Sequence, residues 1–345
     1  MKNTINIGLG SPCFIIAEAG VNHNGSLEMA HRLVDVAVRA EADAVKFQTF
    51  KSQEVISVQA PKAAYQLQTT DGAESQLEMA QRLELPYHAF RELREDCLTK
   101  GILFLSTPFD DESTDFLDEM GVEVFKVPSG EITNFPFLNH VARKHKSVIL
   151  STGMSSLEEV ESAICVIEKA GNRDIILLHC TSSYPADPAE SNLRAMETMR
   201  NEFGFPVGYS DHTPGIEVSL AAVALGACVI EKHVTLDHSL PGPDHRASID
   251  PVELQALVRG VRCVESALGD GIKRPVSGEL DTMAIARRSL VAKRCLKSGV
   301  VLNLGDIAIK RPGTGIAPSE LQYVVGRRLV RGLDRDQLLK WEDLE

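Results

Sequence analysis

The feature of this sequence that most limits its fold is an apolar run that ends in polar residues, precedes a helical pattern and recurs eight times. Runs such as FIIAEAG, ILFLST and IILLHC are typical of strands buried on both faces, and SLEMAHRLVDVAVRA has the apolar spacing of an amphipathic helix. A strand followed by a helix, eight times over, predicts an α/β fold of the (β/α)8 barrel class. The polar ends are AEAG, KFQTF, STPF, KVPSGE, STGM, HCTSSYP, GYSDHTPG and EKHVT. Because such barrels carry their chemistry at the C-terminal ends of the strands, we expect the functional site there.

Two stretches depart from the even spacing of the repeat, a long one after KFQTF and LDHSLPGPDHRASID after the last strand. The stretch KSQEVISVQAPKAAYQLQTTDGAESQLEM is longer than a normal strand-to-helix connection, and we expect it to cover the top of the barrel. After residue 270 the pattern changes to a polar stretch and then to short strands with Gly-rich turns. The sequence therefore predicts a barrel domain at 1–270, a linker at 271–285 and a small second domain at 286–345.

Composition is that of a globular protein with a large core. The chain has 345 residues, of which 43% are hydrophobic, and no apolar run is long enough to span a bilayer. The opening MKNTINIGLG lacks the basic flank and apolar segment of a secretion signal. Seven cysteines without a CxxC pair indicate buried, reduced thiols. We therefore expect a cytoplasmic protein that does not associate with membranes.

Charge is unevenly distributed along the chain. The whole sequence carries a net charge of −12, whereas residues 286–345 hold twelve Lys or Arg against seven Asp or Glu. A basic segment can indicate nucleic-acid binding, but these charges are dispersed and have no aromatic stacking surface beside them. We expect no nucleic-acid partner, and instead attraction between the acidic and basic parts, within one chain or between subunits.

Two lysines are the strongest candidates for an anion site. Lys46 and Lys126 lie within the apolar strands VKF and FKV, where an unpaired ammonium group would be costly. This placement predicts a bound anion or a neighbouring carboxylate, although a Schiff-base lysine is an alternative. Hydroxyl groups near the strand ends would complete a cradle for a small phosphorylated carboxylate: Thr107, Ser129, Ser151 and Ser210.

Two histidines and one carboxylate are the remaining candidates. His212 and His233 follow the alternating pattern of consecutive strands, which places both imidazoles inside the barrel on neighbouring strands. Such a pair indicates a divalent metal with open positions, Mn or Mg rather than structural zinc. Glu18, inside the apolar FIIAEAG, could act as an acid or base or stabilise a developing cation. His23, His238 and His245 are weaker metal candidates.

These motifs together resemble one protein family. FIIAEAGVNHNGSLEMA, AVKFQTF, STPFD, FKVPSGEI, STGM, HCTSSYP, GYSDHT, IEKHVTLD, PGPDHRAS and KRPGTGI are similar, in this order, to the sialic acid synthase family of N-acetylneuraminate and related nonulosonate synthases. The resemblance covers nearly the whole chain. It implies a (β/α)8 barrel with a C-terminal antifreeze-like (SAF) domain. It also implies a domain-swapped homodimer that condenses phosphoenolpyruvate with an N-acylated sugar.

The resemblance also implies a role for each matching residue. His212 and His233 would bind a divalent metal, Mn²⁺ by preference, with Mg²⁺ or Co²⁺ as alternatives, and Glu18 would be the catalytic carboxylate. Gln48 and Asp244 would contact the sugar, and Arg311 of the partner subunit would reach its N-acyl group. The expected phosphoenolpyruvate contacts are Lys46, Thr107, Lys126, Ser129, Ser151, Ser182, Tyr184 and Ser210. The family often has Asn where Ser182 stands.

The sequence leaves several functions to be distinguished. The leading interpretation is an N-acetylneuraminate synthase that uses N-acetylmannosamine. The alternative is an N,N'-diacetyllegionaminate synthase that uses 2,4-diacetamido-2,4,6-trideoxymannose. A lysine aldolase or another phosphoenolpyruvate-condensing enzyme would explain the lysines but not the KRPGTGI segment. A protein of a different class would use the small domain to bind carbohydrate or ice, without catalysis.

Overall fold

The computed structural model describes residues 7–8 and 10–345 and divides the chain into two compact units. The first unit ends at Gly269 and the second begins at Asp270. Within the described residues, no helix has both the length and the apolar character that crossing a membrane would require.

The first unit is built on eight parallel strands. Their order is β3-β2-β1-β8-β7-β6-β5-β4, and β3 and β4 at the two ends of this order lie side by side, so the sheet curls into a nearly closed barrel. This confirms the predicted (β/α)8 class. The strands are β1 Phe14–Gly20, β2 Ala44–Thr49, β3 Leu103–Pro108, β4 Val124–Val127, β5 Ser147–Ser151, β6 Ile175–Cys180, β7 Val207–Asp211 and β8 Val229–His233.

Helices alternate with these strands and form the outer layer. Their ends are marked by the residues expected of helix caps: Ser156 and Asp250, for example, each form a capping box with the glutamate three residues later. The helices are α1 Leu27–Arg39, α2 Ser52–Val55, α3 Ala64–Thr69, α4 Gln76–Leu83, α5 Tyr87–Lys100, α6 Asp111–Glu119, α7 Phe135–Ala142, α8 Leu157–Lys169, α9 Ala195–Phe203, α10 Glu217–Ala224 and α11 Pro251–Leu268.

Alternation along the strands separates the two faces of the barrel wall. Outward side chains such as Ile15, Phe47 and Tyr209 pack against the helices in the larger apolar cluster. Inward side chains such as Ile16 and Ile149 fill the barrel interior. Two residues further along each strand, the inward positions become polar, because the period of a strand is two. The interior is therefore an apolar plug beneath a polar C-terminal mouth.

The long segment after β2 contains three short helices, α2, α3 and α4, rather than an irregular loop. Several of its residues line the cavity at the barrel mouth, including Val55, Ile56, Tyr65 and Gln66. This agrees with the expectation that the segment covers the top of the barrel.

The second unit has its own small core. Strands β9 Ser289–Ala292 and β10 Ile307–Lys310 pair antiparallel, and buried side chains such as Leu290, Leu302 and Leu339 pack together. The stretch read from the sequence as a polar linker contains helix α12 Leu280–Ala286, and a short helix α13 Leu321–Val324 follows later.

All seven cysteines are free thiols. Four of them are buried, as expected: Cys13, Cys97, Cys180 and Cys228. The expectation of burial is wrong for Cys263 and Cys295, which are exposed. Cys263 lies on helix α11, and Cys295 lies in the second unit.

Candidate active site

A cavity of about 440 Å³ opens at the C-terminal ends of the barrel strands. The sequence predicted fourteen site residues, and every one of them except Arg311 lines this cavity. They are Glu18, Lys46, Gln48, Thr107, Lys126, Ser129, Ser151, Ser182, Tyr184, Ser210, His212, His233 and Asp244. The fold thus brings together residues that are more than 200 positions apart in the chain.

The floor of the cavity is a buried cluster of two lysines and two carboxylates. The Lys46 Nζ lies 2.7 Å from a Glu18 oxygen, 3.5 Å from Glu231 and 2.8 Å from the Thr107 hydroxyl. The Lys126 Nζ lies 3.6 Å from the other oxygen of Glu231, which also accepts a hydrogen bond of 2.9 Å from Ser210. The sequence required a carboxylate or an anion beside each lysine, and the carboxylates are present.

Burial and neighbouring charges shift the pKa values of the two carboxylates in opposite directions. Burial raises the pKa of Glu18 to about 7 even though Lys46 opposes the shift. Burial acts on Glu231 as well, but Lys126 and Lys46 outweigh it and lower its pKa to about 2. Burial also lowers the pKa of Lys126, whereas the pKa of Lys46 is raised because Glu18 and Glu231 outweigh desolvation. Glu231 is therefore the permanent counter-charge of the two lysines.

Hydroxyl and backbone groups from the ends of β4, β5 and β6 form one side of the cavity. The Gly153 N–H donates to the Ser129 hydroxyl at 2.9 Å, and Ser129 also contacts the Cys180 thiol at 3.2 Å. A methyl group on Gly153 would come closest to the Ser182 hydroxyl and would lie only 2.8 Å from Ser129 and 2.9 Å from Cys180, so these side chains would have to shift. The buried hydroxyl of Ser151 has no hydrogen-bond partner among the described residues. Donors in this wall are thus available to an anionic ligand.

The two histidines lie side by side on β7 and β8. Their ring centroids are 5.5 Å apart, and the ring of Tyr184 lies 4.3 Å from His212 and 5.8 Å from His233. The His212 Nδ1 donates to the Thr181 carbonyl at 2.8 Å, which leaves the Nε2 lone pair for another ligand. The Nδ1 of His233 is buried without a hydrogen-bond partner in the described chain, and its nearest carboxylate oxygen, on Asp244, is 3.9 Å away.

This histidine pair has the properties of a metal-ligating pair. Burial lowers the pKa of both imidazoles, so both are neutral and can donate a lone pair. The unpaired buried nitrogen of His233 is the kind of donor that a metal ion would satisfy. A second possible group, formed by His238, Asp250 and Glu253, is more exposed, and its two carboxylates already cap helix α11. The pair His212 and His233 therefore fits a divalent metal better.

The other predicted histidines have structural surroundings. His245 is buried and bonds to the Thr235 hydroxyl at 2.7 Å and to Asn24 at 3.2 Å. His23 is buried and its Nδ1 accepts a hydrogen bond from the Gly25 N–H at 3.0 Å. Neither of them lines the cavity.

Part of the cavity lining is an apolar wall. Val21, Phe50, Met79 and Leu83 pack into one small cluster, and all four line the cavity. The wall combines the ends of β1 and β2 with helix α4. Sequence reasoning missed it, because its residues look like ordinary core positions of a helix that covers the barrel.

Sequence reasoning also gave Glu231 no role, although the two-residue period of a strand puts Glu231 on the same face as His233. The signal was present: a glutamate inside the apolar strand VIEKH, comparable to Glu18 inside FIIAEAG. Only the three-dimensional structure shows that this carboxylate bridges the two lysines.

Arg311 belongs to the second unit. It is exposed, and its Nε donates to the Ala286 carbonyl at 3.0 Å. Its predicted contact with a sugar bound to a partner subunit stays a prediction.

Comparison with known proteins shows the family to which the chain belongs. The sequence model of the NeuB family matches residues 33–273, and that of the SAF domain matches residues 287–345. The chain is 50% identical over 328 residues to N,N'-diacetyllegionaminic acid synthase from Campylobacter jejuni, covering 94% of this chain and 98% of the relative. It is 48% identical over 342 residues to the protein of the same name from Legionella pneumophila, covering 98% and 96%.

Solved structures agree with the sequence comparison. The N-acetylneuraminic acid (sialic acid) synthetase of Leptospira borgpetersenii, crystallised with citrate, superposes with a TM-score of 0.73 and is 39% identical. The match covers 82% of this chain and 94% of that protein.

Proposed function

Because the chain belongs to the NeuB family of sialic acid synthases, we propose that it condenses phosphoenolpyruvate with 2,4-diacetamido-2,4,6-trideoxymannose to give N,N'-diacetyllegionaminate and phosphate. The observation that carries the choice of acceptor is the 50% identity to the Campylobacter jejuni synthase over nearly the full length of both proteins. The chain is an enzyme, since its named relatives are synthases.

The choice of acceptor differs from the leading interpretation of the sequence, N-acetylneuraminate synthesis from N-acetylmannosamine. That reaction is the second candidate, supported by the 39% identity to the Leptospira protein. The apolar wall of Val21, Phe50, Met79 and Leu83 favours the diacetamido sugar. That sugar has a methyl group where N-acetylmannosamine has a hydroxymethyl group, and a hydroxyl against an apolar wall would lack a hydrogen-bond partner.

Phosphoenolpyruvate would bind over the charged floor. Its phosphate and carboxylate are best matched by Lys46 and Lys126, with further hydrogen bonds from the hydroxyl wall. The contacts proposed for it are Thr107, Ser129, Ser151, Ser182, Tyr184 and Ser210. Glu231 would keep both lysines charged and in place while no anion is bound.

Carbon–carbon bond formation would begin with C3 of phosphoenolpyruvate, which attacks the aldehyde carbon of the open-chain sugar while the aldehyde oxygen takes up a proton. Positive character then develops at C2, where the carboxylate of Glu18 would stabilise it. Water adds to C2, and phosphate leaves by cleavage of the C–O bond. One water is consumed and one phosphate is released in each turnover.

His212 and His233 would hold the divalent metal, Mn²⁺ by preference, which when bound would polarise the aldehyde of the acceptor. Gln48 and Asp244 line the same cavity and would orient the sugar hydroxyls. Arg311, from the small domain of a second subunit in a homodimer, would reach the N-acyl group of the sugar.

The test is a comparison of acceptors. The purified protein is incubated with phosphoenolpyruvate, Mn²⁺ and each candidate sugar, phosphate release is followed, and the product mass is determined. We expect the higher kcat/KM with the diacetamido sugar. A higher value with N-acetylmannosamine would transfer the assignment to N-acetylneuraminate synthesis. No phosphate release with any N-acylated sugar would contradict the synthase function and favour a binding protein.

A further inference from the structure

The residue that precedes each metal-ligating histidine forms a buried ion pair on the outer face of the barrel. Asp211 and Lys232 are register partners on β7 and β8. Alternation points His212 and His233 into the barrel and turns the side chains of Asp211 and Lys232 outward. The Lys232 Nζ lies 2.8 Å from an Asp211 oxygen, and both side chains are completely shielded from solvent.

This pair is the centre of a hydrogen-bond network that includes the residues on both sides of His212. One carboxylate oxygen of Asp211 accepts from the Thr213 N–H at 2.9 Å and from its hydroxyl at 2.7 Å. The other oxygen accepts from the Ser219 hydroxyl of helix α10 at 2.5 Å. Lys232 donates to the Thr213 carbonyl at 2.5 Å. The residues on both sides of His212 are thus fixed to the residue that precedes His233.

Stability alone does not explain such an arrangement. Removing two charges from water is costly, and apolar residues of similar volume often stabilise a protein as well as a buried ion pair or better. Apolar residues would not, however, fix the strand ends and the loop after β7 at one set of hydrogen-bond distances. Such an ion pair fixes a local geometry, which here is the relative position of the His212 and His233 imidazoles.

We propose that Asp211 and Lys232 are positioning residues that hold His212 and His233 at the spacing required to bind a divalent metal. The inference rests on the proposed metal site. Neither side chain touches the cavity, because both lie on the opposite face of the barrel wall. Their effect therefore passes through the backbone to the adjacent histidines. Replacing Asp211 and Lys232 keeps both histidines in the sequence, so a change in metal binding would come from a change in their positions.

The experiment measures Mn²⁺ binding by isothermal titration calorimetry, without substrate or turnover. The test variant is D211N/K232M, which removes both charges and leaves an amide oxygen to accept from Thr213. We expect it to fold but to bind Mn²⁺ about tenfold or more weakly, as for other residues that orient metal ligands. The visible spectrum of the Co²⁺-loaded variant should also change, because it reports the ligand geometry.

A matched control is available on the far side of the barrel. Thr49 and Ser106 form a buried hydrogen bond of 2.7 Å between β2 and β3, also on the outer face. The variant T49V/S106A loses a neutral buried hydrogen bond between neighbouring strands, away from the histidines. Its Mn²⁺ affinity should equal that of the wild type.

Two further variants make the result decisive. S219A removes one hydrogen bond to Asp211 but keeps the ion pair, so it should fold and weaken Mn²⁺ binding about threefold, a partial loss of the orienting contacts. Wild-type affinity in folded D211N/K232M or in S219A would overturn the inference. H233A tests the site itself: it should abolish the binding seen in the wild type. If H233A binds Mn²⁺ unchanged, the proposed metal site fails, and the inference fails with it.

Discussion

Replacing Glu231 by glutamine should destabilise the ligand-free protein while strengthening its response to phosphate. Glu231 is the only carboxylate within 4 Å of both buried lysines among the described residues. The glutamine keeps the size of the side chain and can still accept from Ser210. The substitution removes the negative charge that offsets the positive charges of Lys46 and Lys126. A bound anion would supply a negative charge in its place.

The loss of stability in E231Q can be worked out from the two distances between Glu231 and the lysines. At 3.5 and 3.6 Å, each attraction is worth about 5 kcal/mol at an effective dielectric constant of 20. Glu18 remains beside Lys46, so the net loss is smaller, and removal of one partner from a buried pair costs about 3 kcal/mol or more. For a unit of this size, that corresponds to a fall in Tm of about 6–12 °C.

Thermal unfolding with and without inorganic phosphate measures both effects. E231Q should unfold at lower temperature than the wild type, and phosphate should raise its Tm by more degrees than it raises that of the wild type. The control is E168Q, because Glu168 is half-exposed and lies 3.8 Å from the exposed Arg173. A surface pair of this kind contributes about 0–1 kcal/mol. An unchanged Tm of E231Q, or an equal response to phosphate, would refute the charge-balance argument.

Three further predictions concern other parts of the chain. Burial lowers the pKa of His23 to about 4, below the unfolded value of 6.5, so protons bind preferentially to the unfolded chain. The protein is therefore most stable above pH 6.5 and loses about 3 kcal/mol of unfolding free energy as the pH falls toward 4. In urea unfolding, the free energy of unfolding of H23N should depend less steeply on pH over this range than that of the wild type. An equally steep pH dependence in H23N would contradict the assignment. G153A should raise the KM for phosphoenolpyruvate about tenfold or more, because the methyl group displaces Ser182, Ser129 and Cys180. The control G72A, where a methyl group meets nothing within 4 Å, should behave as the wild type. R311A should raise the KM for the sugar far more than that for phosphoenolpyruvate in steady-state kinetics, and equal effects would argue against its role in acceptor binding.

Much of the barrel and its mouth could be predicted because both follow from periodicity. Continuous apolar runs identify the strands, and the two-residue period shows that Lys46 shares a face with Gln48 and His233 shares one with Glu231. Since all parallel strands end at the same rim, their polar ends must meet there. The charged and hydroxyl-bearing residues of the cavity could be selected for this reason.

The parts that could not be predicted depend on distances between strands. The sequence shows that Lys126 needs a counter-charge, but only the barrel closure places Glu231 beside it. The outward-facing Asp211 and Lys232 look like solvated charges in the sequence, yet both side chains are completely buried, and Ser219 of helix α10 donates a hydrogen bond to Asp211. The apolar wall likewise arises where α4 folds over the ends of β1 and β2. The diacetamido acceptor that we propose rests on comparison with relatives rather than on any sequence motif.

The most direct test of the account is an anomalous diffraction map of crystals soaked with Mn²⁺ and phosphoenolpyruvate, recorded near the manganese absorption edge. We predict a manganese peak at His212 and His233, with the phosphate of phosphoenolpyruvate against Lys46 and Lys126 in the same cavity. A manganese peak only at His238, Asp250 and Glu253, or phosphoenolpyruvate bound away from the two lysines, would contradict the central claim that these four residues form one catalytic site.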